Sequence, residues 1–154
     1  MKALEERLMQ TSITEDGLAH LLATSPFARV YGFTLAGMNE GECTLLVPFQ
    51  AIFERPDGII SGPVFMSAAD VAMWLAIKTK LGLGDSSVTA EMKTSFLSSA
   101  RREDFTCTAR VLKCGRRLIY GVAECANGRG TLLTHHTLTY MRHHRTSQRK
   151  SLRR

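Results

Sequence analysis

The sequence predicts an α+β domain in which one curved antiparallel sheet wraps around a single long helix. Three observations carry that expectation. From Val64 to Ile77 almost every position is apolar, and a helix that is apolar on all sides must be buried. The segments after it alternate apolar and polar residues, the period of half-buried strands. Their junctions, Cys114-Gly115-Arg116 and Asn127-Gly128, are hairpin-turn sequences. The chain has 154 residues, one domain's worth. A chain of this size buries roughly 70% of its unfolded surface, so its core needs no disulfide or metal to hold it.

Residues 1 to 25 read as an N-terminal helical segment. Leu4 and Leu8 are four apart, and Thr14 can cap a second stretch containing Leu18, Leu21 and Leu22. Ser25-Pro26 is expected to stop it. A strand pair follows, Phe33 to Met38 and Glu42 to Pro48, turning at Asn39-Glu40-Gly41. Residues 49 to 61 read as a loop. The central helix is expected from about Pro63 to Lys80, because proline suits the first helical position, where its missing N–H costs nothing. Ser61 or Gly62 serves as its cap, and Gly82 and Gly84 end it. Beyond it, Val88, Ala90, Met92, Thr94 and Phe96 alternate with Thr89, Glu91, Lys93 and Ser95. Phe105 to Val111, Leu118 to Cys125 and Thr131 to Met141 complete the strands. Residues 26 to 141 thus form one domain, followed by a basic tail from 142 to 154.

That tail explains the charge. The chain has 20 basic and 14 acidic residues, for a formal net charge of +6. Arg142, Arg145, Arg149, Lys150, Arg153 and Arg154 lie in the tail, which has no acidic residue. The body is therefore neutral, which argues against a nucleic-acid-binding domain founded on overall charge. Cys43, Cys107, Cys114 and Cys125 contain no C-x-x-C pair and read as reduced thiols of a cytoplasmic protein. The opening MKALEERLMQ carries acidic residues and no apolar core of a signal peptide. The apolar run from Val64 to Ile77 is too short to span a bilayer, so no membrane partner is expected.

Asp70 fits a purely structural role least well. It sits mid-helix in the most apolar segment of the chain, where an unpaired carboxylate is costly. Ser67 and Trp74, three before and four after it, share its face and form the helix's polar stripe. Either that stripe meets solvent or a basic residue of the sheet, or Asp70 is a carboxylate tuned by an apolar cleft to act as base or nucleophile. The helix start matters too. Ser61-Gly62-Pro63 aims free backbone N–H groups and the positive dipole end outward, where an oxyanion can be held. Pro63 offers no donor, which leaves the Gly62 N–H. Eight residues of helix separate Gly62 from Asp70, about 12 Å, so one carbonyl group cannot touch both. If they cooperate, they come from different subunits, and the site lies at a dimer interface.

Other motifs are weaker. His135 and His136 are adjacent on a strand and so face opposite ways, unsuited to clasping one metal ion. His143 and His144 fall in the basic tail, as does the S-x-x-K match from Ser147 to Lys150. No metal site is expected, and no G-x-S-x-G elbow or phosphate loop occurs. Arg101-Arg102 and Arg116-Arg117 are turn arginines that could meet phosphates, or simply solvent.

The runs RPDGIISGPVFMSAADVAMW, VTAEMKTSFL and ARVLKCGRRLIYGVAECANGRGTLLTHHTLTYM resemble the hot-dog-fold acyl-CoA thioesterases of the phenylacetic-acid-degradation type, over roughly Pro26 to Met141. That family opens its central helix with His-Gly-Gly and carries an Asp or Glu a fixed distance inside. On this chain the three positions hold Ser61, Gly62 and Pro63, and the acid is Asp70. The histidine and one backbone donor are gone, and Arg55-Pro56-Asp57 stand where many relatives have an asparagine or glutamine. The resemblance implies that Asp70 activates water or attacks the thioester, while Gly62 of the partner subunit polarises its carbonyl. It implies an acyl pocket beside Ser67 and Trp74, and coenzyme A phosphates near Arg116 and Arg117. It also implies a homodimer, assembled further into a homotetramer, with coenzyme A present only as part of the substrate and no cofactor. A non-catalytic acyl-CoA- or lipid-binding protein of the same fold is the alternative.

Overall fold

The computed structural model describes residues 13–143. Leu4 and Leu8, and the tail from residue 144 onward, including His144 and Ser147 to Lys150, lie outside them. Helix α1 runs Glu15–Thr24, capped by the Thr14 hydroxyl accepting from the Gly17 N–H at 3.1 Å, and it buries Leu18 and Leu22. Ser25 ends α1 as expected, but the chain then starts a second helix, α2, at Pro26–Tyr31. Proline at the first helical position ends one helix and opens the next, because its fixed φ suits a first turn. Gly32, at φ 68°, closes α2 in the left-handed conformation glycine allows.

Strands β1 (Thr34–Asn39) and β2 (Glu42–Val47) form the first hairpin, and the following loop contains a single 3-10 turn at Ala51–Phe53. The long helix, α3, spans Gly62–Leu81, then β3 (Val88–Phe96), β4 (Phe105–Cys114), β5 (Leu118–Asn127) and β6 (Leu132–Met141). The six strands form one antiparallel sheet in the order β1-β2-β4-β5-β6-β3. Consecutive strands pair as hairpins except β3, which the helix carries to the far edge beside β6.

The sheet curls around α3, as predicted. The helix buries Val64, Phe65, Ala68, Ala69, Ala72, Met73, Leu75, Ala76 and Ile77 against the inward rows Cys43-Leu45-Val47, Phe105-Cys107-Ala109, Ile119-Ala123-Cys125 and Leu133-Leu138. Each fully buried large side chain contributes about 1.5–3 kcal/mol. Small residues let the layers meet: a Cβ on Gly121 would lie 2.4 Å from both the Arg110 carbonyl oxygen and Met73 Cε. Cys43, Cys107 and Cys125 are buried free thiols, and Cys114 is half-buried and free. Among the described residues no helix is long and apolar enough to cross a membrane.

One expectation for β3 is corrected. Strict alternation would turn Thr89 away from Met92, Thr94 and Phe96. The register slips between Thr89 and Glu91 against β6, and this bulge, with Ala90 as the extra residue, returns Thr89 to the helix-facing side. The outer edge of β3 pairs with no described strand, and its side chains Val88 and Phe96, with the following Leu97, are exposed.

Candidate active site

Asp70 lies on the middle of α3, half-buried. Its Oδ1 accepts two hydrogen bonds, from the Thr89 hydroxyl at 2.7 Å and the Tyr140 hydroxyl at 2.6 Å. The Tyr140 oxygen is also 2.9 Å from Asp70's own carbonyl oxygen. No described cation forms a salt bridge with it. It opens onto a cavity of about 540 Å³ whose walls include Phe27 of α2, Val71 and Trp74 of α3, and Ser87, Val88 and Thr89 leading into β3. The carboxylate is therefore held by neutral hydroxyls in a largely apolar cleft. Tyr140 is 3% exposed, and burial, then the neighbouring Asp70 charge, pushes its hydroxyl well above the usual phenol range. It stays a protonated donor.

The cavity walls have their own supports. Lys78, one turn past Trp74, places its Nζ 5.0 Å from the Trp74 ring centre, a cation–π geometry. The same ammonium donates to the carbonyls of Leu83 at 2.9 Å and Asp85 at 2.7 Å. Burial lowers its pKa, partly opposed by Asp85. Asp85 in turn accepts from the backbone N–H and hydroxyl of Ser87. One lysine thus anchors both Trp74 and the segment that delivers Val88 and Thr89.

Gly62, the first residue of α3, borders a different cavity, of about 460 Å³, with Arg55, Ile59, Ile60, Phe65, Phe96 and Leu97. At the helix start the Val64 N–H is taken by the Ser61 carbonyl at 3.1 Å and Pro63 has none. The Gly62 N–H has no acceptor among the described residues. A Cβ on Gly62 would lie 3.0 Å from Phe96 Cε1, so a larger residue there would press on the ring beside the N–H.

The remaining sequence candidates fall elsewhere. Ser61 makes no side-chain cap bond and borders a smaller cavity of about 210 Å³ with Tyr31 and Val64. Pro63 is exposed and Ser67 half-buried, and neither lines the Gly62 or the Asp70 cavity. Trp74 does join Asp70. Arg116 and Arg117 are exposed in the β4–β5 turn and line neither cavity, and the Arg117 carbonyl accepts from the Arg142 N–H. Arg101 and Arg102 instead flank the Gly62 end, donating to the Asp57 carbonyl at 2.7 Å and to Glu54 at 2.9 Å. His135 and His136 do face opposite ways. His136 is buried, its two ring nitrogens engaged by the hydroxyls of Thr94 at 2.8 Å and Thr134 at 2.7 Å.

Sequence reasoning missed Thr89, Tyr140 and Phe27. Thr89 was hidden by the bulge, and Phe27 by the unforeseen α2. Tyr140 left a signal: alternation along β6 turns its ring inward, and a buried phenol needs a partner for its hydroxyl.

The chain itself matches a known family. The model of the thioesterase superfamily matches residues 57–142, and the chain belongs to that superfamily. A candidate esterase of Saccharolobus solfataricus is 30% identical over 112 residues, 73% of this chain and 74% of the relative. Among solved structures, the PaaI protein of the E. coli phenylacetic acid degradation operon superposes with a TM-score of 0.75 at 19% identity, covering 81% of this chain and 89% of the other. A hypothetical thioesterase from Streptococcus pneumoniae, solved with coenzyme A, superposes with a TM-score of 0.66 at 16% identity, covering 72% and 85%. At these identities the two structures speak to the fold, which is the hot-dog fold that the sequence led us to expect.

Proposed function

We propose that the chain hydrolyses an acyl-CoA thioester as a dimer, each site combining Asp70 of one subunit with the Gly62 N–H of the other. The observation that carries this is the Asp70 carboxylate itself: seated in a largely apolar cleft, one oxygen held by two hydroxyls, and, among the described residues, with no ion pair and no donor on the other oxygen. The edge of β3, which pairs with no other described strand, supports the dimer. Val88, at one end of that strand, lines the Asp70 cavity, and Phe96, at the other, lines the Gly62 cavity. Antiparallel pairing of two β3 edges about a two-fold axis sets the Val88 end of one copy beside the Phe96 end of the other. Two half-sites that are separate in one chain then become one site. The edge would also be covered, as exposed strand edges need to be.

In that site Asp70 takes a proton from water as the oxygen attacks the acyl carbon. The Gly62 N–H receives the carbonyl oxygen as it gains charge. The carbon–sulfur bond breaks, the coenzyme A thiolate takes up the proton held by Asp70, and the products are a carboxylic acid and free coenzyme A. Direct attack by Asp70 on the acyl carbon, followed by hydrolysis of the anhydride, gives the same products from the same free oxygen. Phe27, Val71, Trp74 and Val88 suit a compact apolar or single-ring acyl group, in keeping with the phenylacetic-acid-degradation type. Coenzyme A in the Streptococcus pneumoniae relative supports the leaving group. Association of two dimers into a tetramer, in the cytoplasm, completes the proposal.

Asp70→Asn tests it. Asparagine's carbonyl still accepts both hydroxyl bonds, so the substitution removes the base and little else. Hydrolysis across a panel of acyl-CoA esters should fall about 10²–10⁴-fold. Undiminished turnover removes Asp70 from the chemistry. Tight binding of acyl-CoA by the unaltered protein, with no cleavage of any ester, replaces the enzyme with a carrier.

A further inference from the structure

We infer that Tyr140 is a positioning residue: by holding Oδ1 of Asp70 it leaves Oδ2 as the one carboxylate oxygen offered to the reacting centre. The inference rests on the reading of Asp70 as the reactive carboxylate and adds the group that aims it.

Both hydroxyl contacts of the carboxylate fall on the same atom. Tyr140 and Thr89 each donate to Oδ1, at 2.6 and 2.7 Å, and no described donor reaches Oδ2. An aspartate side chain in a helix turns freely about its terminal bond, and without a restraint its two oxygens would exchange. Two donors on one oxygen remove that freedom and distinguish the pair.

The two donors are not equivalent. Thr89 sits in the bulge of an edge strand, exposed. The Tyr140 ring is buried on the helix-facing side of β6, between β3 and β5, so its oxygen is set by the core. Its proton is also within reach of the Asp70 carbonyl oxygen, an acceptor, and its oxygen neighbours the Thr89 hydroxyl. Two of the acceptors the hydroxyl can turn to belong to Asp70. Its raised pKa keeps that donor in place throughout the neutral and mildly alkaline range. A rigid donor on an otherwise mobile nucleophile or base is the arrangement that turns binding geometry into rate.

Tyr140→Phe removes the hydroxyl and keeps the ring. The expected result is a kcat reduced about 10–100-fold with KM within about twofold of the unaltered protein, the pattern of a reacting group no longer aligned in the transition state. Thermal unfolding of the variant, followed in parallel, should shift by about 2–4 °C, as for loss of one hydrogen bond. Thr89→Val, at the more exposed donor, should lower kcat by less than Tyr140→Phe does. Unchanged kcat in Tyr140→Phe overturns the inference, as does a raised KM alone, which would confine Tyr140, one of the residues lining the cavity, to substrate binding. A Thr89→Val loss as deep as that of Asp70→Asn would also overturn it by assigning the alignment to Thr89. These outcomes are separable from failure of the underlying reading. If Asp70→Asn hydrolyses normally, the reactive carboxylate is lost; if Asp70→Asn is inactive and Tyr140→Phe is not impaired, only the positioning role is.

Discussion

Two crippled proteins should repair each other. Gly62 and Asp70 lie eight residues apart on one straight helix, which at 1.5 Å per residue is about 12 Å. A thioester carbonyl with one hydrogen bond and one attacking atom spans about 3 Å on either side, so one helix cannot supply both groups to one substrate. Asp70→Asn disables the acid of its own chain. Gly62→Val disables the donor: its Cβ would lie 3.0–3.1 Å from the Phe96 ring carbons, and the rest of the side chain fills the cavity beside the N–H. Phe96 is exposed and can swing outward, so the fold should lose only about 1–3 kcal/mol. When the two inactive variants are mixed and their subunits exchanged, half of the dimers are hybrids. Each hybrid has one site carrying both lesions and one carrying neither, so the mixture should recover about a quarter of the unaltered activity, and hybrids isolated with two affinity tags about half. Thiol release from acyl-CoA, read before and after subunit exchange, measures this. Hybrids no more active than their parents would refute the shared site and the dimer built on the β3 edge together.

Two further predictions concern the scaffold. Burial pushes the Cys43 thiol up to about 12 from 9.0. The folded chain therefore keeps a proton that the unfolded chain loses above pH 9, so this contribution is complete below pH 9 and lost progressively as pH rises to 12. Over that window it amounts to about 4 kcal/mol at most, and urea titrations should show Cys43→Ala flattening the alkaline fall. Gly121→Ala should destabilise by roughly 1–3 kcal/mol or more, because the new Cβ meets the Arg110 carbonyl and Met73 at 2.4 Å; a melting temperature within a degree of the unaltered protein would contradict that packing.

The fold was readable because its main device is written in composition. Fourteen consecutive residues with almost no polar break, Val64 to Ile77, specify a helix that must be enclosed, and alternation in β4, β5 and β6 specifies what encloses it. Those elements were found with their turns. The failures came where local rules permit two outcomes. Pro26 ends one helix or begins another with equal ease, and the choice depends on Ala28 finding a buried place in the core. The β3 bulge depends on how the strand fits against β6, a pairing across about fifty residues that no window of sequence reveals. The site divides the same way. Asp70 and Gly62 stood out because each conflicts with its surroundings: a carboxylate in an apolar helix, a glycine at a helix start before proline. Tyr140 conflicts with nothing locally. Its significance exists only once β6 is laid against α3.

The helix start shows what this chain asks of its carboxylate. Pro63 brings no N–H, and the Val64 N–H is already bonded to the Ser61 carbonyl. The Gly62 amide is left as the backbone donor at that end. In the proposed reaction the developing negative charge on the carbonyl therefore meets one backbone hydrogen bond, where the loss of a single such donor typically costs 10²–10³ in rate. A site so sparing with donors depends correspondingly on the attacking side. There the chain concentrates its polar contacts: two hydroxyls converge on Oδ1, and Lys78 braces the Trp74 wall and the approach to Thr89. The asymmetry follows from Pro63 itself. Proline secures the first turn of a helix that must be buried, and in the proposed dimer the donor it withholds shifts the demand to the acid eight residues on, in the other subunit.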